Sequence, residues 1–294
     1  MRRPLTIALT IWLVGMALLA GCETSFEVFG DSDEIYSLFG VLDASQDTQF
    51  VRVELLQDSM LTDTGPIDAV VTMKTMSSGE TVQWNDSLFY FIGGARAHNF
   101  WTTEPIVAEE TYRLNVRRSD GESSSATITL PEEFRDPRFT AFPFSLINLP
   151  VSGNVCARDF DMEVRVEELA ALEMVYYVPT RRENETVFRK NYIPKAVKFP
   201  DGRFEVTIEW VADLIELGQV DEEVGLQQMI NTRAIVLRVA SAGPNWPDNA
   251  LDDETVALPD AVTFVDNGFG FVGGVISKRI ELPLGDYRDA SCFQ

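Results

Sequence analysis

Beyond residue 34, apolar and polar positions alternate with a period of two along most of the chain, the spacing of half-buried strands rather than of helices. In Phe50-Val51-Arg52-Val53-Glu54-Leu55 the alternation is cleanest, with Val51, Val53 and Leu55 on one face and Arg52 and Glu54 on the other. That is the pattern of an antiparallel strand with one face on a core. Runs of β-branched and aromatic residues predict further strands over 35–42, 69–76, 81–84, 88–92, 111–116 and 126–130. The stretches 43–47 and 63–66 are rich in turn residues, and Ser119-Asp120-Gly121 joins the last two strands as a hairpin. About seven short strands at this spacing predict an immunoglobulin-like β-sandwich over residues 34–131.

Four prolines, Pro131, Pro137, Pro143 and Pro150, then punctuate the chain, and residues 132–150 read as an extended connection between domains. Residues 151–294 return to the strand pattern, at 162–166, 174–178, 187–192, 203–208, 234–240 and 275–282. Two helices are expected within it. One spans 211–217 and stops at Gly218, and the other spans 222–230 with acids at its amino end, where the helix dipole favours them. The fold class predicted is mainly β: the immunoglobulin-like sandwich followed by a second β domain, sandwich or open barrel, with short helical insertions.

The first 21 residues break the pattern. Arg2 and Arg3 precede an apolar run over 5–19, which ends in Leu19-Ala20-Gly21-Cys22. A charged start, a short apolar middle and small residues at the end make a secretory signal peptide. The run falls short of the roughly twenty residues a spanning helix needs, and no later segment reaches that length. With the cysteine directly after the small residues, the block resembles the lipobox of bacterial lipoproteins. The resemblance implies that Cys22 is acylated on its thiol and, after cleavage, on its new amino terminus. Two or more acyl chains suffice for stable anchoring, at about 0.8 kcal/mol per buried methylene. Residues 22–33, with Asp31 and Asp33, would then be an acidic tether. Glu23 does not match the aspartate that retains many such lipoproteins in the inner membrane, so the cell envelope, at the outer membrane, is the expected location.

Charge and cysteines narrow the partners. Loss of Arg2 and Arg3 with the signal takes the formal net charge from −22 to −24. Phosphate backbones select clustered Lys and Arg, so nucleic acid is excluded as a partner, and an anionic membrane surface is equally disfavoured. Lysine is scarce: Lys74, Lys190, Lys195, Lys198 and Lys278 are the only five. Dense carboxylates with little lysine fit either adaptation to salt or plain solubility through net charge. After Cys22 only Cys156 and Cys292 remain. In an exported protein they can form a disulfide or stay as two buried thiols; the bond would be worth about 4 to 5 kcal/mol in the chain-entropy model. With one histidine and no C-x-x-C pair, no zinc site of the usual ligands is expected, and no cofactor is implied.

Candidate chemistry is thin. Gly268-Phe269-Gly270-Phe271-Val272-Gly273 fits the G-x-G-x-x-G fingerprint, but the strand expected after it argues for a twisted or bulged strand instead of a dinucleotide turn. His98 has no G-x-S-x-G partner anywhere and reads as an edge or loop histidine. The acids of 248–254 could hold calcium, yet lack EF-hand spacing. Among the aromatics, Trp84, Phe89, Tyr90, Phe91, Phe100 and Trp101 cluster in the first half. Trp246, flanked by Pro244 and Pro247, is the candidate ligand-contact residue, with core packing as its other reading.

Four stretches carry a wider resemblance: Phe39-Gly40-Val41-Leu42-Asp43 with Phe50-Val51-Arg52-Val53 after it, Glu110-Thr111-Tyr112-Arg113-Leu114-Asn115-Val116 before the hairpin turn, and Asn267-Gly268-Phe269-Gly270-Phe271-Val272-Gly273-Gly274. Through them the mature chain resembles a domain-of-unknown-function family of outer-membrane lipoproteins encoded beside outer-membrane receptors. The resemblance implies an immunoglobulin-like domain followed by a second β domain and supplies no catalytic residues. The expected function is that of a lipid-anchored envelope protein which binds and does not catalyse, accessory to an outer-membrane receptor or capturing a surface ligand. A structural or adhesive envelope role is the alternative, and a hydrolase working through carboxylates alone is a third.

Overall fold

The computed structural model describes residues 35–56, 66–90, 96–139, 160–182, 184–244, 246 and 264–282. Cys22, the acidic tether, residues 140–150 of the connection, Cys156, Cys292 and the acidic loop 248–254 lie outside these residues. The predicted mainly β fold is what is found: the described residues form three sheets, in two sandwiches, with two short α-helices and one turn of 3-10 helix.

The first sandwich takes β1 (Tyr36–Asp43), β2 (Gln49–Leu55), β3 (Val70–Thr75), β4 (Thr81–Gln83), β5 (Asn85–Tyr90), β6 (Arg96–Thr102), β7 (Thr111–Arg117) and β8 (Ser123–Thr129). Strands β1-β2-β6-β5 form one layer and β4-β3-β7-β8 the other. Lettered in chain order these layers are ABED and C′CFG, the immunoglobulin-like arrangement. Alternation does what the sequence says: Val51 and Val53 are fully buried while Phe50 and Arg52 face out. Tyr112, near the start of β7, buries its ring and accepts the backbone N–H of Val107 on its hydroxyl at 2.9 Å. This is the tyrosine corner of such sandwiches, tying the β6–β7 crossing to the core. The expected hairpin is present, with Gly121 at φ +99° and the Arg118 N–H bonded to Glu122 O. Strand β6 was not foreseen; His98, Asn99 and Trp101 interrupt any simple apolar run there.

The second sandwich faces β9 (Arg138–Phe139), β10 (Phe160–Arg165), β13 (Val197–Lys198) and β14 (Arg203–Ile208) against β11 (Glu168–Pro179), β12 (Glu185–Asn191), β15 (Ala234–Ala242) and β16 (Gly268–Leu282). Helix α1 (Trp210–Val220) closes its core through Leu214 and Leu217, and Val211 is also buried. Here the expected stop at Gly218 is corrected. The helix runs on to Val220, and a Cβ on Gly218 would come within 2.0 Å of Met229 Cε. The glycine is thus a contact point between helices and not a cap. Helix α2 (Leu226–Ile230) begins four residues later than expected. Glu222 and Glu223 lie in the turn before it, where Asp221 Oδ1 accepts the Glu223 N–H, and Gln228 Oε1 accepts that of Gly225 at the helix start.

Two hydrophobic cores sort almost entirely by sequence half, but the backbone does not. One eight-stranded sheet runs β12-β11-β15-β16-β1-β2-β6-β5 through both. Strand β16 makes the join. Gly268 to Val275 pair in parallel with Tyr36 to Asp43 of β1, and Val275 to Leu282 pair antiparallel with Ala242 to Ile235 of β15. At the changeover Asp43 Oδ1 and Oδ2 accept the Ser277 N–H at 3.1 Å and its hydroxyl at 2.5 Å, ending the β1 edge cleanly. Val272 of β16 belongs to the first core, Ile276 and Leu282 to the second. Equal parity on one strand puts both cores on one side of the long sheet; on its other side Ala240, Ala242 and Val275 are buried in a small third cluster, while Phe39, Val41 and Phe50 are exposed.

The glycine run is explained by close approach. Gly270 sits at φ +104°, and a Cβ on Gly274 would stand 2.9 Å from Thr129 O, where β8 crosses β16. The strand continues to Leu282, so the helix that a dinucleotide site requires does not follow.

Candidate binding face

Ladder partners point to the same side of a sheet, so the register maps the outer face directly. Phe271 of β16 is opposite Phe39 of β1, and Phe39 is opposite Arg52 of β2. Phe50 of β2 is opposite Trp101 of β6, Asn99 is opposite Ser87 of β5, and Ala97 is opposite Phe89. All of these residues share the outer side. Three apolar side chains stand close together there and remain open to solvent: Phe39 at 49% exposure, Val41 at 44% and Phe50 at 46%. Trp101, half-buried beside them, donates its indole N–H to Ser87 Oγ at 2.9 Å. Scattered single apolar residues on a surface need no explanation, but a contiguous patch ringed by polar groups marks a contact surface.

Trp246 extends the patch. Its ring meets Phe271 edge-on at 5.1 Å, and Phe264 meets Phe271 from another side at 6.1 Å. A Cβ on Gly273 would fall 2.7 Å from the Trp246 ring, so the glycine makes the hollow that the indole fills. The ring also covers a small cluster formed by Ala170, Ala240, Ala242 and Val275. Trp246 is half-buried, and no described residue accepts its indole N–H. Of the other aromatics flagged in the sequence, Trp84 and Phe100 are core and Phe89 is on the outer face. Phe91 lies outside the described residues. Phe39 and Phe50, which matter most on this face, hide in the sequence as ordinary members of alternating strands.

His98 lies on the inner side of the first sandwich, with Nδ1 3.0 Å from the Asp86 carboxylate. The expected loop or edge position is corrected: His98 lies on β6, paired with Val53 of β2 on one side and Leu88 of β5 on the other. Among the described residues no group of three or more His, Cys, Asp or Glu is placed to hold a metal ion.

A concave feature of about 750 Å³ lies beside β10 and is lined by charges including Glu132, Glu133, Asp136, Arg138, Arg165 and Asp201. Several of these groups are tied to one another or to neighbours, with Arg165 at 3.0 Å from Asp201 and Lys278 at 2.8 Å from Asp136. Inside the second core, Asp213 of α1 is 2% exposed and accepts the hydroxyls of Tyr176 at 2.5 Å and Tyr192 at 2.6 Å on one oxygen. Burial raises the carboxyl above its ordinary range, opposed by those two hydrogen bonds and by Lys190 and Lys195. Burial and the same carboxylate push the Tyr176 hydroxyl well above its usual value. The cluster docks α1 on the sheet.

No family model matches the chain, and no curated protein matches it. Among solved structures it is similar to the pullulanase from Anoxybacillus sp. LM18-11, with a TM-score of 0.21 and 9% identity over 59% of this chain. The same enzyme complexed with maltotriose gives 0.22 at the same identity. This chain spans 22% of that enzyme's length. Likeness at this level says nothing of activity.

Proposed function

We propose that this protein is a lipid-anchored component of the bacterial cell envelope that acts by binding, as an accessory to an outer-membrane receptor or in surface ligand capture. The observation that supports it is the outer face of the first sandwich, where Phe39, Val41 and Phe50 stand exposed on a chain of net charge −22. Such side chains in water gain on meeting another apolar surface, by about 25 cal/mol per Å² covered. Lipidation at Cys22 would hold that face near partners in the outer membrane, and the charge would keep the body off anionic lipid. Strand β1, which carries Phe39 and Val41, is clamped between β2 and β16, so the face is presented on a stiff element.

The test is a pull-down of the intact lipoprotein from mildly solubilised outer membrane, with co-purifying proteins identified by mass spectrometry. An outer-membrane receptor should be recovered in near-equal amount, and both Cys22→Ala and the double variant Phe39→Ser, Phe50→Ser should lose it. Recovery of the lipoprotein alone would discard the receptor reading in favour of a structural or adhesive role.

A further inference from the structure

We infer that the β5 edge of the long sheet is a docking site for an extended, basic strand of a partner protein, which would add to the sheet beside the exposed apolar face. An edge strand presents a row of backbone N–H and C=O groups, and proteins ordinarily guard such edges with charge, proline or brevity. The other described edges are guarded in that way or partly bridged. Strand β12 carries Glu185, Arg189 and Lys190, each in an ion pair, with Arg233, Glu173 and Glu216 respectively. Strands β4, β9 and β13 are three, two and two residues long. At the β8 edge Ser125 is bridged to Asp266.

Strand β5 is different. It is six residues long, Asn85–Tyr90, and holds no lysine, arginine or proline. Its one charge, Asp86, pairs with His98 and, being acidic, would not repel a basic strand. Among the described residues no strand pairs with its outer side over Asn85–Phe89. The chain reaches it from β4 through buried Trp84, whose N–H is held by Val71 O, so this end of β5 is fixed. Phe89 is 43% exposed on the same side as Phe39, Phe50 and Trp101. An added strand would therefore gain ladder hydrogen bonds from β5 and apolar contact from the face beside it, the mode in which peptides extend sheets.

Charge selects the occupant. A second copy would bring another −22 against this one, whereas a strand alternating apolar and basic residues meets the field favourably. The inference rests on the proposal that the protein acts by binding a partner, and it names the edge and the chemistry of that contact.

The experiment uses the full-length chain in detergent and a blocked ten-residue peptide of alternating valine and lysine, read by fluorescence anisotropy and by amide hydrogen exchange. Saturable binding is expected, with exchange slowed at least tenfold at amides within Asn85–Phe89. Binding should weaken at least tenfold for Phe89→Lys and vanish for the peptide methylated on every amide nitrogen. Equal binding by the methylated peptide, slowing elsewhere only, or no saturation would overturn the inference. So would sedimentation as a dimer with the β5 amides already protected, since a second copy would then occupy the edge. Failure here leaves the pull-down untouched, because a receptor could be held by the apolar face without strand addition; loss of the receptor leaves the peptide result equally intact.

Discussion

One sheet carries two surfaces of opposite character. On the β11–β12–β15 side the outer face bears a charge ladder, in which Glu173 lies between Arg238 at 3.2 Å and Arg189 at 3.6 Å. On the β1–β2–β6 side the corresponding positions hold Phe39, Phe50 and Trp101. The interiors differ in the opposite sense. The first core holds no charged group among its described residues, while the second buries the Asp213 carboxylate under two tyrosines. The contrast divides one sheet in two: among the described residues the second half buries a charge and pairs the charges of its outer face, and the first leaves apolar area exposed on the face we propose meets a partner.

The inside contrast is tested by the largest effect. Asp213→Ala should lower the unfolding free energy by about 2 kcal/mol, because it strands the Tyr176 and Tyr192 hydroxyls in the core. Asp213→Asn, which can still accept one of them, should cost less. The pH dependence has a definite sign. Burial raises the folded carboxyl above the roughly 3.9 of an unfolded aspartate. Between those two values the folded state holds a proton that the unfolded state has lost, so stability from this group falls as pH rises through that window. Urea melts of the wild type and the Asn variant should therefore diverge as pH rises from about 4, the wild type losing more. Parallel curves would mean that Asp213 titrates normally.

A smaller effect belongs to the first core. Tyr112→Phe keeps the buried ring and removes only the acceptor for the Val107 N–H, so about 1 kcal/mol is expected. The loss should appear in the probes of the first sandwich, Trp84 and Trp101 fluorescence. With β16 shared by both cores, the second sandwich should unfold at the same denaturant concentration. Two resolved transitions would show that the shared strand does not couple the halves.

Much of this was legible in the chain because local rules dominate. Val51 and Val53 alternate with Phe50 and Arg52, Gly121 ends a hairpin, and the turns fall where Asp and Gly cluster. The pairing of β16 with β1 was not legible. Hydrogen bonds between residues more than two hundred positions apart leave no local period, and the glycine run that permits them reads as a twisted or bulged strand without naming the strand it meets. Helix α1 passed its glycine for the same reason, since Met229 sits far from Gly218 in sequence and against it in space. The exposed apolar face hid in plain alternation: period two says that Phe39 and Phe50 face away from the core, and only the register places them on one side of the sheet with Trp101.

The smallest effect sharpens the outside contrast. Glu173→Ala removes the centre of the charge ladder, but exposed ion pairs are worth about 0 to 1 kcal/mol and screen away in salt. A change below about 0.5 kcal/mol is expected, vanishing near 1 M salt, with the receptor retained in full in the pull-down. If Glu173→Ala releases the partner while Phe39→Ser, Phe50→Ser keeps it, the ladder is the recognition surface and the apolar face is not. The two variants lie on one sheet and one side of it, so they differ in what the face offers and in little else.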